Sequence, residues 1–382
     1  MKRYLLTAES VSSGHPDKIA DTVADAILDE ILKQDKCARV ACEVFVSKGY
    51  VIIGGEVTTK GWVDVNNVVR EVIRDIGYTR PEYGFDWRTV AVLNTISEQS
   101  PDIARGVRKT GTKKQGAGDQ GVSIGYATKE TPELMPLPIM LAHKLIMRLN
   151  EVRKKGILPY LRPDGKSQVT LEYQNEKVQR LDAAVIAAQH DPDISMKKLK
   201  EEITKEVIVP VCKKYLDKKT KFYINNTGRF VIGGPVSDTG MTGRKNVVDA
   251  YGPQIPIGGG SFSGKDPTKV DRAGAYMARY IAKNIVAANL AEKCLVELAY
   301  VISGTNPLSL NINTFASGKI SEEKLVKIIP KVFDLTPGGI IRQLNLLRPI
   351  YKKTACFGHF GRQDPDFSWE KTDKIKEILE KI

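Results

Sequence analysis

Cysteine, histidine and tryptophan are scarce in this chain of 382 residues, numbering five, four and three. Cys37, Cys42, Cys212, Cys294 and Cys356 are scattered, odd in number and never spaced C-x-x-C. That argues against a disulfide framework and a zinc site, and it points to reduced thiols in the cytoplasm. No apolar run approaches the ~20 residues that a membrane-spanning helix needs. Met1 to Leu6 give way at once to Thr7, Ala8 and Glu9, so no signal-peptide apolar region is expected. A Walker loop is missing too, because Lys265 is followed by Asp266 and not by Ser or Thr.

Acidic residues are in deficit, with 45 Asp and Glu against 58 Lys and Arg, a formal net charge of +13. A basic excess can serve nucleic acid, a membrane surface or a small polyanionic substrate. Many lysines lie in helix-like stretches, such as Lys197, Lys198 and Lys200 or Lys213, Lys214, Lys218 and Lys219, where a solvated helix face accounts for them. No RNP-type aromatic pattern, zinc finger or recognition helix accompanies them. Neither nucleic acid nor membrane is therefore expected as a partner.

Glycine is plentiful, and it recurs beside charge. Gly258, Gly259 and Gly260 lead into Ser261, Gly264, Lys265, Asp266, Lys269, Asp271 and Arg272. Backbone can approach a ligand closely there, and the mixed charges suit a polyanion held with a metal. Gly14, His15, Pro16, Asp17 and Lys18 repeat the recipe, with Pro16 placed to open a helix whose free N–H groups attract anions. A third loop runs from Gly116 through Asp119 to Gly121, and a fourth from Asp238 through Gly240 and Gly243 to Arg244 and Lys245. Four such loops argue for one composite site.

At this length two or three domains are expected. Helical apolar spacing begins near Pro16, Pro136 and Pro267. A pair of β-rich runs follows each: 39–46 with 50–57, 168–173 with 183–188, and 294–302 with 308–313. Second amphipathic helices follow at 65–76, 196–209 and 321–333. Opening strands fit 4–7, 122–126 and 246–250; closing strands fit 89–96, 221–224 with 230–232, and 355–360. The expected class is α+β: three pseudo-repeated β-α-β-β-α-β domains about an approximate threefold axis, with mixed sheets carrying helices on one face. The divisions fall at 1–101, 114–231 and 232–382. Segment 97–114, without apolar periodicity, reads as an active-site lid or a linker.

On these motifs, joined by Gln99 to Ile103, Gly228 to Pro235 and Gly358 to Arg362, the chain resembles the methionine adenosyltransferase, or S-adenosylmethionine synthetase, family over essentially its whole length. The resemblance implies a pseudo-threefold fold and the reaction of ATP, L-methionine and water to S-adenosylmethionine, pyrophosphate and phosphate. A neutral thioether attacks ribose C5′ and tripolyphosphate departs, later to be hydrolysed. No general base is needed for the first step, only electrostatic stabilisation and in-line positioning.

The resemblance further implies that His15, Lys166, Arg244, Lys245, Lys265, Lys269 and Asp119 are catalytic. His15 would contact the phosphate oxygen at the breaking bond. ATP would be bound by His15, Asp164, Lys166, Arg229, Phe230, Asp238, Arg244, Lys245, Ser261 and Lys265. Methionine would be bound by Glu56, Gln99, Asp119, Asp238 and Lys269. Two Mg²⁺ would sit on Asp17 and Asp271, and K⁺ on Glu43. A homodimer or homotetramer with interfacial sites is expected in the cytoplasm. Ser13, Arg105, Ile257 and Ser261 depart from the family's usual Glu, Gln, His and Ala. His143 and His190 read as structural. A kinase or tripolyphosphatase would also use such loops, but without needing methionine. A nucleic-acid binder would show affinity falling steeply with salt.

Overall fold

The computed structural model describes residues 3–99 and 115–382; the expected lid at 97–114 therefore lies almost wholly outside the described residues, as does Arg105. Three sheets carry the architecture. In the first third, β2 (Arg39–Ser47) and β3 (Tyr50–Thr58) form a hairpin, and β4 (Ala91–Asn94) joins β3 in parallel. In the middle, β6 (Leu161–Gln174) and β7 (Lys177–His190) form a longer hairpin extended in parallel by β8 (Lys221–Ile224). In the last third, β10 (Lys293–Tyr300) pairs with β11 (Ser309–Asn313).

The opening strand of each third is lent to the next sheet. β1 (Arg3–Val11) pairs with β6, β5 (Gly121–Thr128) pairs with β10, and the short β9 (Gly240–Met241) pairs with β2. The exchange closes a cycle, so no third of the chain can complete its sheet alone. Three expected strands are absent from their places. Segment 246–250 is a helical turn, α5 (Asn246–Asp249), and the strand that opens the last third lies earlier, at β9. The expected closing strand at 355–360 is a turn, because Phe357 and Gly358 both take left-handed backbone, at φ 68° and 81°. Residues 230–232 form no strand either, although Phe230 O accepts from His190 N.

Helix α1 (Pro16–Gln34) starts as expected, with Pro16 in its first turn and His15 as extended N-cap. It packs on β2, α3 (Leu137–Lys154) packs on β6 and β1, and α6 (Val270–Ala287) packs on β5 and β10. Both α1 and α6 are buried on nearly every side. A helix buried all round must satisfy its polar groups inside the protein. Ile19, Val23, Ile27 and Ile31 of α1 and Tyr276, Ile281 and Ile285 of α6 share one core; Leu145, Leu149, Val169, Ile186 and Ile203 belong to a second, in the middle third. The second-helix positions are filled by α2 (Val65–Ile76), α4 (Met196–Ile203, continued through a π turn to Cys212) and α7 (Glu322–Val332).

Strand alternation leaves one sheet face open. Val40, Cys42, Val44 and Val46 of β2 turn inward, while Glu43 faces out. Leu5, Leu93, Val122 and Leu308 are exposed apolar side chains on or beside other strands. No helix among the described residues is long and apolar enough to cross a membrane.

Candidate active site

The mouth of α1 builds the first half of the site. His15 is buried, and its Nδ1 accepts a 3.2 Å hydrogen bond from Asp17 N. Burial, with Lys245 and Lys166 nearby, pushes its pKa down to about 4. The ring is therefore neutral at pH 7, with Nδ1 committed as acceptor and the proton left on Nε2. Asp17 Oδ2 accepts from Lys245 Nζ at 2.7 Å and Oδ1 from Met241 N at 3.0 Å, while Arg244 Nε lies 3.5 Å from Oδ1. Burial would raise the Asp17 pKa, but the Lys245 and Met241 bonds outweigh it and hold the carboxyl below its ordinary value. Asp17 thus stays an anion.

Strand β6 brings two further residues beside this mouth. Lys166 stands opposite Val11 of β1 with its side chain exposed. Asp164 is buried; Oδ2 accepts from Gly234 N at 2.8 Å, and Oδ1 has no partner among the described residues. Burial pushes its pKa up to about 6, opposed by the Gly234 bond and Lys166. Asp238, exposed, is close enough to raise both the His15 and the Asp164 pKa. His190 orients Phe230: its Nε2 accepts from Phe230 N at 3.1 Å while Nδ1 bonds Asp191 O. Arg229 beside it is exposed.

The glycine loop before α6 builds the second half. Lys265 Nζ bonds Asp271 Oδ2 at 2.7 Å. A Cβ on Gly260 would come within 2.0 Å of the Asp271 carboxyl carbon, so the loop closes on that carboxylate as only glycine can. Lys269 is only 6% exposed and its Nζ is bound to buried Asp266. Asp119 is exposed on the neighbouring loop, whose Gly118 N donates to Thr268 O. Glu43 faces outward from β2; the surrounding protein pushes its pKa up, Lys265 opposes, and Asp21 and Glu56 add to the rise. Glu56 is exposed on β3, and Gln99 ends the described part of the segment after β4. Ser261 packs against Gly243, which links the two halves: a Cβ on Gly243 would lie 2.4 Å from the Ser261 Cβ.

Three family models match in series: the N-terminal domain of S-adenosylmethionine synthetase over residues 3–101, the central domain over 114–230 and the C-terminal domain over 232–371. An S-adenosylmethionine synthase of Syntrophobacter fumaroxidans is 54% identical over 383 aligned positions, covering 100% of this chain and 98% of the relative. The chain belongs to the S-adenosylmethionine synthetase family. Its activity is that of a methionine adenosyltransferase, the synthesis of S-adenosylmethionine.

Within this synthetase three further residues hold backbone around the candidate site. Tyr78 is buried and donates its hydroxyl to Gly14 O at 2.7 Å, fixing the approach to His15. Nothing in its local pattern marks it. Asp21 and Asp25 follow Asp17 at four-residue steps and hold the Gly243 and Gly264 amides. Their helical spacing was the available signal. Among the described residues no group of three or more His, Cys, Asp or Glu could hold a metal ion.

Proposed function

We propose that the synthetase works by lowering the energy of a departing tripolyphosphate, without a proton-abstracting group in the first step. The observation that carries this is His15: buried, neutral and fixed by Asp17 N so that its Nε2–H remains free to donate. A neutral donor aimed at developing negative charge stabilises departure without forming a tight ion pair with the substrate beforehand. Lys245, Arg244, Lys166 and Lys265 supply the cations for the phosphates, and Asp164, Arg229, Phe230, Asp238 and Ser261 take the nucleoside. Glu56, Gln99, Asp119 and Asp238 take methionine and place its sulfur for attack on C5′. Lys269 acts through Asp266, whose carboxylate also accepts from Val40 N at 2.8 Å. The same cationic residues then hold tripolyphosphate for hydrolysis to pyrophosphate and phosphate.

The residues fit magnesium in one way only. Asp17 and Asp271 are single hard carboxylates, each beside a lysine, so an ion on either would complete its shell with phosphate oxygens and water. Magnesium bound there would neutralise phosphate charge. Glu43, crowded by Asp21 and Glu56, suits a monovalent cation such as potassium. The outward sheet faces and exposed apolar residues fit a second copy of the chain, with sites completed across the interface.

The test is an assay of the purified protein with ATP, Mg²⁺ and K⁺, with and without L-methionine, following all three products. S-adenosylmethionine, pyrophosphate and phosphate in equal amounts is the expected result. Phosphate release indifferent to methionine, with no sulfonium, would overturn it in favour of a phosphohydrolase.

A further inference from the structure

Four aspartates of α1 lie on one stripe, Asp17, Asp21, Asp25 and Asp29, and all are buried, at 0–7% exposure. Each accepts backbone N–H groups from a segment distant in sequence. Asp17 takes Met241 N at 3.0 Å, Asp21 takes Gly243 N at 2.9 Å and Asp25 takes Gly264 N at 2.9 Å. Asp29 takes Tyr351 N and Lys352 N, both at 2.9 Å. Buried cations balance the stripe. Lys18 Nζ bonds Asp21 at 2.8 Å and Asp249 at 2.5 Å, and Arg272 bonds both oxygens of Asp25 at 2.7 and 2.8 Å.

The same loops are held from the other side by β2. Thr242 N donates to Val44 O at 3.0 Å and Val44 N to Thr242 Oγ1 at 2.8 Å. Two residues along, Cys42 N donates to Gly264 O at 2.9 Å and Asp266 N to Val40 O at 3.1 Å. Each loop is thus clamped between a helix carboxylate and a strand backbone. The steps agree: four residues of helix advance ~6 Å, and two residues of strand advance ~6.6 Å. The helix and the strand therefore measure the same interval between the loop bearing Arg244 and Lys245 and the loop bearing Lys265.

We infer that Asp21 and Asp25 are positioning residues, a paired clamp that fixes the spacing of the two cation-bearing loops. The functional half of this inference rests on the phosphate-handling role proposed above. At Asp21 the lysine takes Oδ2 and Gly243 N takes Oδ1, so an asparagine whose one oxygen is claimed by buried Lys18 leaves the loop N–H unbound. At Asp25, Gly264 N and Arg272 Nη1 share Oδ1, so an asparagine keeps the acceptor but removes its charge and the second Arg272 bond, and weakens the hold on Gly264. The loop then loses its place while the core keeps its shape.

The experiment is amide exchange of the full-length protein by NMR, with steady-state hydrolysis of inorganic tripolyphosphate. In the unmutated protein both Gly243 and Gly264 amides should exchange slowly, although they belong to loops. Asp21→Asn should speed Gly243 by about tenfold or more and spare Gly264, as loss of one charge-assisted bond predicts, and Asp25→Asn should speed Gly264 by a smaller factor and spare Gly243, as weakening of a shared charge-assisted bond predicts. The tripolyphosphate KM should rise about tenfold in each, with a smaller change in kcat, because binding is displaced and the chemistry retained. Fast exchange of either amide in the unmutated protein would overturn the clamp without any variant. So would exchange of both loops together with core amides in each variant. If the unmutated protein does not hydrolyse tripolyphosphate, the functional reading fails and exchange alone still decides the clamp.

Discussion

The site's chemistry turns on the state of one histidine. Of the four in the chain, His143 and His359 are core residues, bonded to Ser10 and Tyr276, and His190 holds the Phe230 backbone. Only His15 stands among lysines at a helix mouth. Its pKa of about 4 sets a sign for pH dependence. Above about pH 5 the ring is neutral and competent, so the acid limb of kcat/KM assigned to His15 falls near pH 4 and not near the ordinary 6.5. The same shift bears on stability: the unfolded chain binds this proton at higher pH than the folded one. Stability is fully present above about 6.5 and is lost as pH falls towards 4. His15→Ala should lower kcat by about 10²–10³, with little change in the ATP KM, and should remove its share of the acid loss of stability. A variant with undiminished kcat would take His15 out of the mechanism. The sequence showed this residue because glycine, histidine, proline and aspartate sat together at a helix start. It could not show the buried Asp266 beneath Lys269, since a lysine at a helix mouth has the same local pattern whether solvated or paired.

Among the elements, periodicity disclosed most helices and hairpins, because apolar spacing reports which face is buried. It does not report which neighbour covers that face, and so the cyclic loan of β1, β5 and β9 to the following sheets could not be read. The segment 246–250 misled for a related reason. Val247, Val248 and Ala250 form a short apolar run, and such a run is compatible with either a strand or a single helical turn. Asp17, Asp21, Asp25 and Asp29 kept an exact helical period, but on a helix with one clear apolar face polar residues read as the solvated side. The loaned strand β5 packs directly against α6. A Cβ on its Gly125 would lie 2.0 Å from the Ala278 carbonyl carbon and 2.2 Å from Arg279 N of α6. Gly125→Ala must push α6 off the sheet, and overpacking of this kind costs about 1–3 kcal/mol. Calorimetry should show a clearly lowered Tm, with activity lost in proportion because α6 begins beside Asp271. An unchanged Tm would show that α6 yields at Gly125 without cost and would overturn the packing argument.

For the whole molecule, the decisive question is how the two halves of the site are shared. His15, Asp17, Lys245 and Lys166 form one group, and Lys265, Asp271, Glu43 and Asp119 form the other. Four glycine loops argued for one composite site, and the family resemblance alone pointed to its completion by two chains. The open sheet faces favour two, since apolar residues such as Leu308 at 72% exposure have no cover among the described residues. Subunit mixing separates the alternatives. His15→Ala and Asp271→Asn each disable a different half, and each alone should be nearly inactive. If every site takes one half from each subunit, a mixed dimer carries one site with both defects and one with none. Random mixing makes half the dimers mixed, so activity should recover to about one quarter of the unmutated level. If each chain builds its own site, every site keeps one defect and mixing restores nothing. With a bulky tag on one variant, size-exclusion chromatography run beside the assay shows whether exchange took place, so a flat result with mixed dimers present would place the whole site within a single chain.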